Sequence, residues 1–232
     1  MSGSRVALVS GASRGIGAAT ARELLRQGWR LSLGLRDPRL PEWADPASVH
    51  LHAYDAGGGN LEAGWVAAAA AHFGRIDAIV ASAGINSTNS VIEADDSELD
   101  RLFEINCKAP RRLVKAAWNE LAASGRGRVI ILGSLSGKRV KHAGAGLYSM
   151  TKFAAVSLAH GIRHAGFDAG IRATAVCPGL VDTDMARALK ARASADMTDP
   201  ADLARIIAML VDLPNEASVA EFTLNCQLEE FY

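Results

Sequence analysis

Aromatic residues are scarce in this sequence, 6% of 232 positions, and neither charge sign dominates: 25 Lys plus Arg stand against 25 Asp plus Glu. A nucleic-acid binder needs a basic excess to meet the phosphates, so no nucleic-acid partner is expected. Cysteine is scarce as well. Cys107, Cys177 and Cys226 make an odd set without a C-x-x-C pair. That argues against a disulfide framework and against a zinc site, and it suits a reducing, cytoplasmic setting. No apolar run approaches the roughly 18 residues of a membrane span. The start, MSGSRVALVSG, has no charged segment leading into a long apolar one. The expectation is a soluble, intracellular protein with no membrane partner.

Small residues are plentiful. The chain is 49% hydrophobic and holds 22 glycines, enough for one sizeable core in a single domain over residues 1–232. Short apolar runs alternate with longer helical patterns. Strands are predicted at 5–10, 30–35, 49–55, 75–82, 127–134, 170–179 and 221–226. Helices are predicted at 15–28 with Leu24 and Leu25 inward, 60–73, 96–123 with a break near Asn106, 147–166 and 200–212. Several strands are almost wholly apolar, as strands buried on both faces are. The alternation implies an α/β fold, a doubly wound parallel sheet in three layers.

The stretch SGASRGIG (10–17) puts three glycines directly after the apolar run Val6-Ala7-Leu8-Val9. Its spacing departs from G-x-G-x-x-G, but a strand before and a helix after are the setting of a phosphate-binding turn. Gly11 can make the turn. Gly15 and Gly17 let the backbone approach a pyrophosphate and the helix pack on the sheet, and the helix start offers free N–H groups. A purely structural glycine turn fits the same residues.

Tyr148 and Lys152 lie four apart, on one face of a helix. A phenol ordinarily releases its proton near pH 10, and a neighbouring cation eases that release. The pair can serve as a general acid/base between a hydroxyl and a carbonyl. Ser134 ends the preceding strand, where it can hydrogen-bond a substrate oxygen as charge develops.

In order and spacing, SGASRGIG, ASAG (81–84), Asn106, Ser134, YSMTK (148–152) and PGLVDT (178–183) resemble the short-chain dehydrogenases/reductases of the compact single-domain branch, over nearly the whole chain. The resemblance implies a Rossmann-type fold and NAD(P)-dependent hydride transfer. It implies catalytic roles for Asn106, Ser134, Tyr148 and Lys152. Tyr148 exchanges the proton, Lys152 assists it and holds the nicotinamide ribose, Ser134 orients the carbonyl, and Asn106 holds a water in a relay to Lys152. Asn106 also reads as a structural, helix-interrupting polar residue. The resemblance further implies cofactor contacts from Gly11, Ser13, Arg14, Gly15, Ile16, Gly17, Ala83, Gly84, Tyr148 and Lys152. Asp55 matches the contact to the adenine amine, Pro178 and Gly179 shape the turn beneath the nicotinamide, and Thr183 matches the contact to its carboxamide. Two positions depart from the pattern. Ala81-Ser82 stands where the family carries Asn-Asn, and LNCQLEEFY replaces a Gly-rich tail.

The second strand ends Gly34-Leu35-Arg36, so Leu35 occupies the usual acidic position. Arg36 and Arg14 suit a 2′-phosphate and favour NADP(H) over NAD(H). Asp37 is the counter-signal. Lys138, Arg139, Lys141 and His142 read either as a pocket mouth for an anionic substrate or as a solvated loop. The segment after Thr183 is expected to cover the substrate. Cys107 and Cys177 are expected in the core. Helices 107–123 and 147–166 match those that pair between subunits in the family, which implies a homodimer or homotetramer. The leading function is an NADPH-dependent carbonyl reductase or alcohol dehydrogenase acting on a small molecule. The alternative is a catalytically silent NAD(P)-sensing protein. A sugar epimerase or dehydratase also uses a Tyr/Lys pair, but with a larger substrate domain.

Overall fold

Among the described residues, seven strands form one parallel sheet. They are β1 (Val6–Ser10), β2 (Arg30–Leu35), β3 (Val49–Ala53), β4 (Ala78–Ala81), β5 (Arg128–Leu132), β6 (Arg172–Pro178) and β7 (Glu221–Leu224). Their order is β3-β2-β1-β4-β5-β6-β7. The structure, a computed structural model, describes residues 4–189 and 193–228. The order reverses between β1 and β4, in register Ala7↔Ala78 through Ser10↔Ala81. A crevice opens at such a reversal, beyond the carboxyl ends of the strands.

The helices are α1 (Gly15–Arg26), α2 (Glu62–Phe73), α3 (Asp96–Phe103), α4 (Ala109–Ala116), α5 (Trp118–Ala123), α6 (Gly146–Gly166), α7 (Asp184–Ala188) and α8 (Pro200–Asp212). The sequence reading holds for all seven strands and for α1, α2, α6 and α8, within a few residues at each end. The helix expected over 96–123 is not one rod. A π-helical turn at Glu104–Lys108 separates α3 from α4, and it contains Asn106.

Alternation along each strand builds two cores. Val6, Leu8, Ile79, Val129 and Ile131 face α2, α4 and α6, meeting Trp65, Leu113 and Ala155. Ala7, Val9, Val80 and Ile130 face α1 and α8, meeting Leu24 and Ile207. Both faces of the sheet are covered, which is why β1 and β5 read as unbroken apolar runs. Leu24 is fully buried, and Leu25 packs partly buried beside it. Trp65 is the largest fully buried side chain. It lies flat against β2, where a Cβ on Gly34 would fall 2.6 Å from its ring.

The amino edge of the sheet is closed by charge. Asp77 accepts from the Val6 N–H at 2.8 Å and from Arg75. Arg128 donates to the Leu213 carbonyl at 2.6 Å, and burial pulls its guanidinium down to about 10. The carboxyl edge therefore carries the opening.

Edge strand β3 holds a titratable device. Trp65 Nε1 donates to Ser32 Oγ, which lies 2.8 Å from His50 Nδ1. The indole only donates, so Ser32 Oγ accepts from it and its own proton is free to go to Nδ1 of a neutral His50. Burial first, then the nearby His72 and His52, hold the proton affinity of His50 below the ordinary imidazole value; burial does the same at His52. The unfolded chain therefore binds more protons as pH falls, and this contribution to stability, full above about pH 6.5, is lost as pH drops through the folded-state value. Thermal denaturation should show Tm falling from pH 7 to pH 5.5. The fall should flatten in His50→Asn, which keeps an acceptor without a titrating ring. An equal slope in both proteins would remove His50 as the cause.

Candidate active site

The glycine loop is a packed turn as well as a binding surface. Gly11 and Gly15 have φ of +68° and +56°, which side chains resist. A Cβ on Gly11 would lie 2.8 Å from the Ala83 amide nitrogen, and one on Gly17 would lie 2.3 Å from the Gly11 carbonyl oxygen. Gly11 and Gly17 thus let β1, the turn after β4 and α1 close on one another. Gly15 meets no backbone, with Thr183 Cγ2 3.2 Å from its Cβ position. Ser10 fixes the neighbouring turn by accepting from the Ser82 and Ala83 N–H groups at 3.1 and 3.2 Å. That role was not read from the sequence. Its signal is a polar residue closing an apolar strand.

A cleft of about 1400 Å³ opens at the carboxyl edge. It brings together Gly11, Ser13, Arg14, Gly15, Ile16, Arg36, Asp55, Ala83, Gly84 and Thr183, all expected at a cofactor. Asp55 braces its own turn by accepting from the Gly57 N–H at 2.9 Å. Thr183 caps α7, accepting from the Ala186 N–H at 3.3 Å. Gly17 lies beneath the loop. Pro178 and Gly179 are outside this lining, and Gly179 N–H donates to the Leu224 carbonyl at 2.7 Å.

None of Asn106, Ser134, Tyr148 and Lys152 is among the residues that line the cleft; packing sets Asn106 and Lys152 behind its Gly84 wall. Asn106, 2% exposed, sits in the π-turn. Its Oδ1 accepts from the Ile85 N–H, and its Nδ2 donates to the Ile85 carbonyl and to Thr151 Oγ1, each at 3.0 Å. Its side chain thus ties the segment after β4 to α6. Lys152 is 6% exposed, and its Nζ donates to the Leu132 carbonyl at 2.7 Å. Among the described residues it forms no ion pair. Nζ lies 5.6 Å from the Tyr148 ring centroid and 3.8 Å from where a Cβ on Gly84 would stand. Gly84 lines the cleft, so the cation borders it. A Cβ on Gly137 would meet the Lys152 carbonyl at 2.6 Å, which seats the Ser134 turn on α6. Ser134 Oγ accepts from the Ser136 N–H at 3.1 Å.

Three weaker expectations meet the structure differently. Lys138 pairs with Glu221, and Lys141 and His142 are exposed, so the solvated reading of that segment is the better one. After Thr183, the cleft is lined by Asp184, Met185, Ala188 and Leu189. Residues 190–192 of that segment and 229–232 of the tail lie outside the described residues. Cys177 is buried as expected, but Cys107 is only half-buried. Burial pushes its thiol up to about 11, and it donates to the Thr151 carbonyl.

The family model described as short chain dehydrogenase matches residues 5–194. The chain belongs to the short-chain dehydrogenase family. It is 38% identical to an agropine synthesis reductase of Rhizobium rhizogenes over 99% of this chain and 54% of that protein. The chain thus spans about half the length of that relative. It is 30% identical to the oxidoreductase UcpA of Escherichia coli O157:H7, over 94% of this chain and 84% of that one. Among solved structures, an alcohol dehydrogenase from the archaeon Thermococcus sibiricus, complexed with 5-hydroxy-NADP, superposes with a TM-score of 0.85 at 28% identity, over 98% and 99% of the two chains. The cleft lining of the short-chain dehydrogenase suits a dinucleotide: Gly15 and Ile16 at the α1 start border it, and Arg36 and Asp55 line it with Leu35, not a carboxylate, at the end of β2. No helix among the described residues is long and apolar enough to cross a membrane.

Proposed function

We propose that the chain is an NADPH-dependent reductase of small carbonyl compounds, and in reverse a dehydrogenase of the alcohols. The observation that carries this is the Lys152 ammonium. A buried cation with a carbonyl and an aromatic ring beside it but no counter-ion costs stability, and here it stands behind the Gly84 wall of the cleft, over the Tyr148 ring. The glycine loop, Arg36, Asp55 and Thr183 would hold a reduced nicotinamide dinucleotide in the cleft, which when bound would supply the hydride. The Tyr148 hydroxyl gives its proton to the carbonyl oxygen, and in reverse takes it back. Lys152 stabilises charge that develops on the tyrosine oxygen. Ser134 orients the carbonyl through its hydroxyl. Asn106 holds the cleft wall and α6 together while serving the proton relay.

Arg36 and Arg14 carry the preference for NADP(H) over NAD(H). They are not equal. Arg14 is paired with Asp184 at 2.9 Å. Asp37, the counter-signal, is paired with Arg39 at 2.8 Å. Arg36 makes no ion pair among the described residues and lines the cleft beside Leu35. Energy transfer from the four tryptophans to bound NADPH or NADH reports affinity. NADPH should bind more tightly. Arg36→Ala should weaken NADPH about ten- to hundredfold and leave NADH unchanged. Tighter NADH would transfer the ribose role to Asp37, and no binding of either would end the enzyme reading. The three cysteines are free, which accords with a cytoplasmic setting. On α6, Met150 and Phe153 are 43% and 45% exposed, and we read this face as the one that pairs in a homodimer or homotetramer.

A further inference from the structure

We propose that Asn86, with Ser87 and Thr88 beside it, is a substrate-recognition element for hydroxyl groups flanking the reacting carbonyl, which makes the substrate a polyhydroxylated carbonyl compound and the product a polyol. This rests on the reading of Tyr148 as proton donor.

Past Ile85 the chain leaves the β4 turn as Asn86-Ser87-Thr88-Asn89-Ser90, short polar residues with neither a charge nor an apolar side chain. The path of this segment is pinned at both ends. Asn106 holds Ile85 through both backbone groups and holds Thr151 of α6 with the same amide. Further on, the Thr88 carbonyl oxygen is 2.7 Å from where a Cβ on Gly144 would stand, and Val91 Cγ1 is 3.1 Å from that of Gly146. The segment therefore runs back along α6 from the level of residue 151 to that of 144–146. Tyr148 lies in the turn between. Residues 86–89 all line the cleft.

Within this wall the polar groups are not equally free. Asn89 Nδ2 is committed to Glu98 at 2.8 Å, and its N–H donates to Ser87 Oγ. Asn86 is different. Its Oδ1 is enclosed and has no hydrogen-bond partner, although the residue as a whole is only half-buried. Enclosed amide atoms are nearly always paired, and one left unpaired at a ligand cleft marks a place for the ligand's own group. A carboxamide gives and accepts, as does each hydroxyl of a polyol, and the Ser87 proton adds a donor. The segment itself offers no charge to a carboxylate or phosphate; Arg101 and Lys108 line the same cleft, with Lys108 paired to Glu104. An alkyl substrate would leave the amide unanswered, and sites built to hydrogen-bond discriminate strongly against such analogues.

The test uses the purified full chain with NADPH and two ketones on one four-carbon skeleton, erythrulose and butan-2-one. Expected is a kcat/KM at least about tenfold higher for erythrulose. Asn86→Leu should lower that value about ten- to hundredfold and leave butan-2-one within about twofold. Asn86→Ser, which keeps a hydrogen-bonding group, should recover part of the loss. Calorimetric binding of threitol to the NADP⁺ complex should weaken in Asn86→Leu, while NADP⁺ binding itself is unchanged. Equal rates for the two ketones, or an equal loss for both in Asn86→Leu, overturn the proposal. Butane-2,3-dione separates the two levels. If it is reduced and erythrulose is not, the substrate assignment alone falls; if neither is reduced by protein that binds NADPH, the reductase reading falls with it.

Discussion

Tyr148→Phe is expected to slow turnover by about 10²- to 10⁴-fold while the NADPH binding curve shifts little, because the change deletes one hydroxyl and keeps the ring. The ring is half-buried in the first turn of α6, over which the Lys152 Nζ stands 5.6 Å from the centroid. Phenylalanine fills the same space, so the packing of the Ser134 turn on α6 is undisturbed. The proposed cofactor contacts are spread over the glycine loop, Arg36, Asp55 and Thr183, all of which line the cleft, so loss of one tyrosine hydroxyl would remove a small part of them. Steady-state rates and tryptophan energy transfer on the same preparation check the two halves separately. Unchanged turnover would sink the proposed mechanism. A parent protein that binds NADPH yet turns over no carbonyl would instead favour the silent sensor. Loss of binding together with turnover would show that Tyr148 supports the cleft itself.

What the sequence disclosed and what it concealed divide along contact range. Strands buried on both faces announce themselves, since residues such as Val6 through Val9 must be apolar toward α2 and α8 alike. The glycine loop was legible for a similar reason: close approach leaves room for nothing larger than hydrogen at Gly11 and Gly17. Asn106 was legible as an irregularity but not as a π-turn. Its partners, Ile85 and Thr151, lie 21 and 45 residues away, and no local pattern encodes them. The pairing of Arg14 with Asp184, across 170 residues, was equally hidden, and it changes which arginine remains for a phosphate. The helix α7 has only five residues, too few for a periodicity. The network around buried Glu62, which accepts from Tyr54 at 3.1 Å and Arg112 at 3.0 Å, joins α2 to α4, and it too needed coordinates. Local constraint left a trace in residue type, whereas long-range polar pairing did not.

The same contrast sets up the second large effect, at Lys152. A residue selected for stability would be expected to bring its charge a partner. Glu62 and Arg112 do so, two-to-two in contact, and Asp77 does so with Arg75. Lys152 is 6% exposed and offers its Nζ to one carbonyl. Taking an ion out of water costs several kcal/mol, and a carbonyl with an aromatic ring at 5.6 Å returns less than a counter-ion would. Lys152→Met keeps an unbranched chain of similar length and removes the charge. The Leu132 carbonyl loses its donor, a cost of about 1 kcal/mol, which the relief of desolvation offsets. Turnover should fall at least about 100-fold, since the developing charge on Tyr148 loses its counter-ion. The Tm of the cofactor-free protein should stay or rise, at roughly 2–4 °C per kcal/mol for a chain of this size. Thermal denaturation beside steady-state rates reads both. A Tm lower by more than about 5 °C would mean that Lys152 is held by the fold for its own sake. Its burial would then say nothing about catalysis. A lost rate at an undiminished Tm is the signature of a group kept at the fold's expense for chemistry.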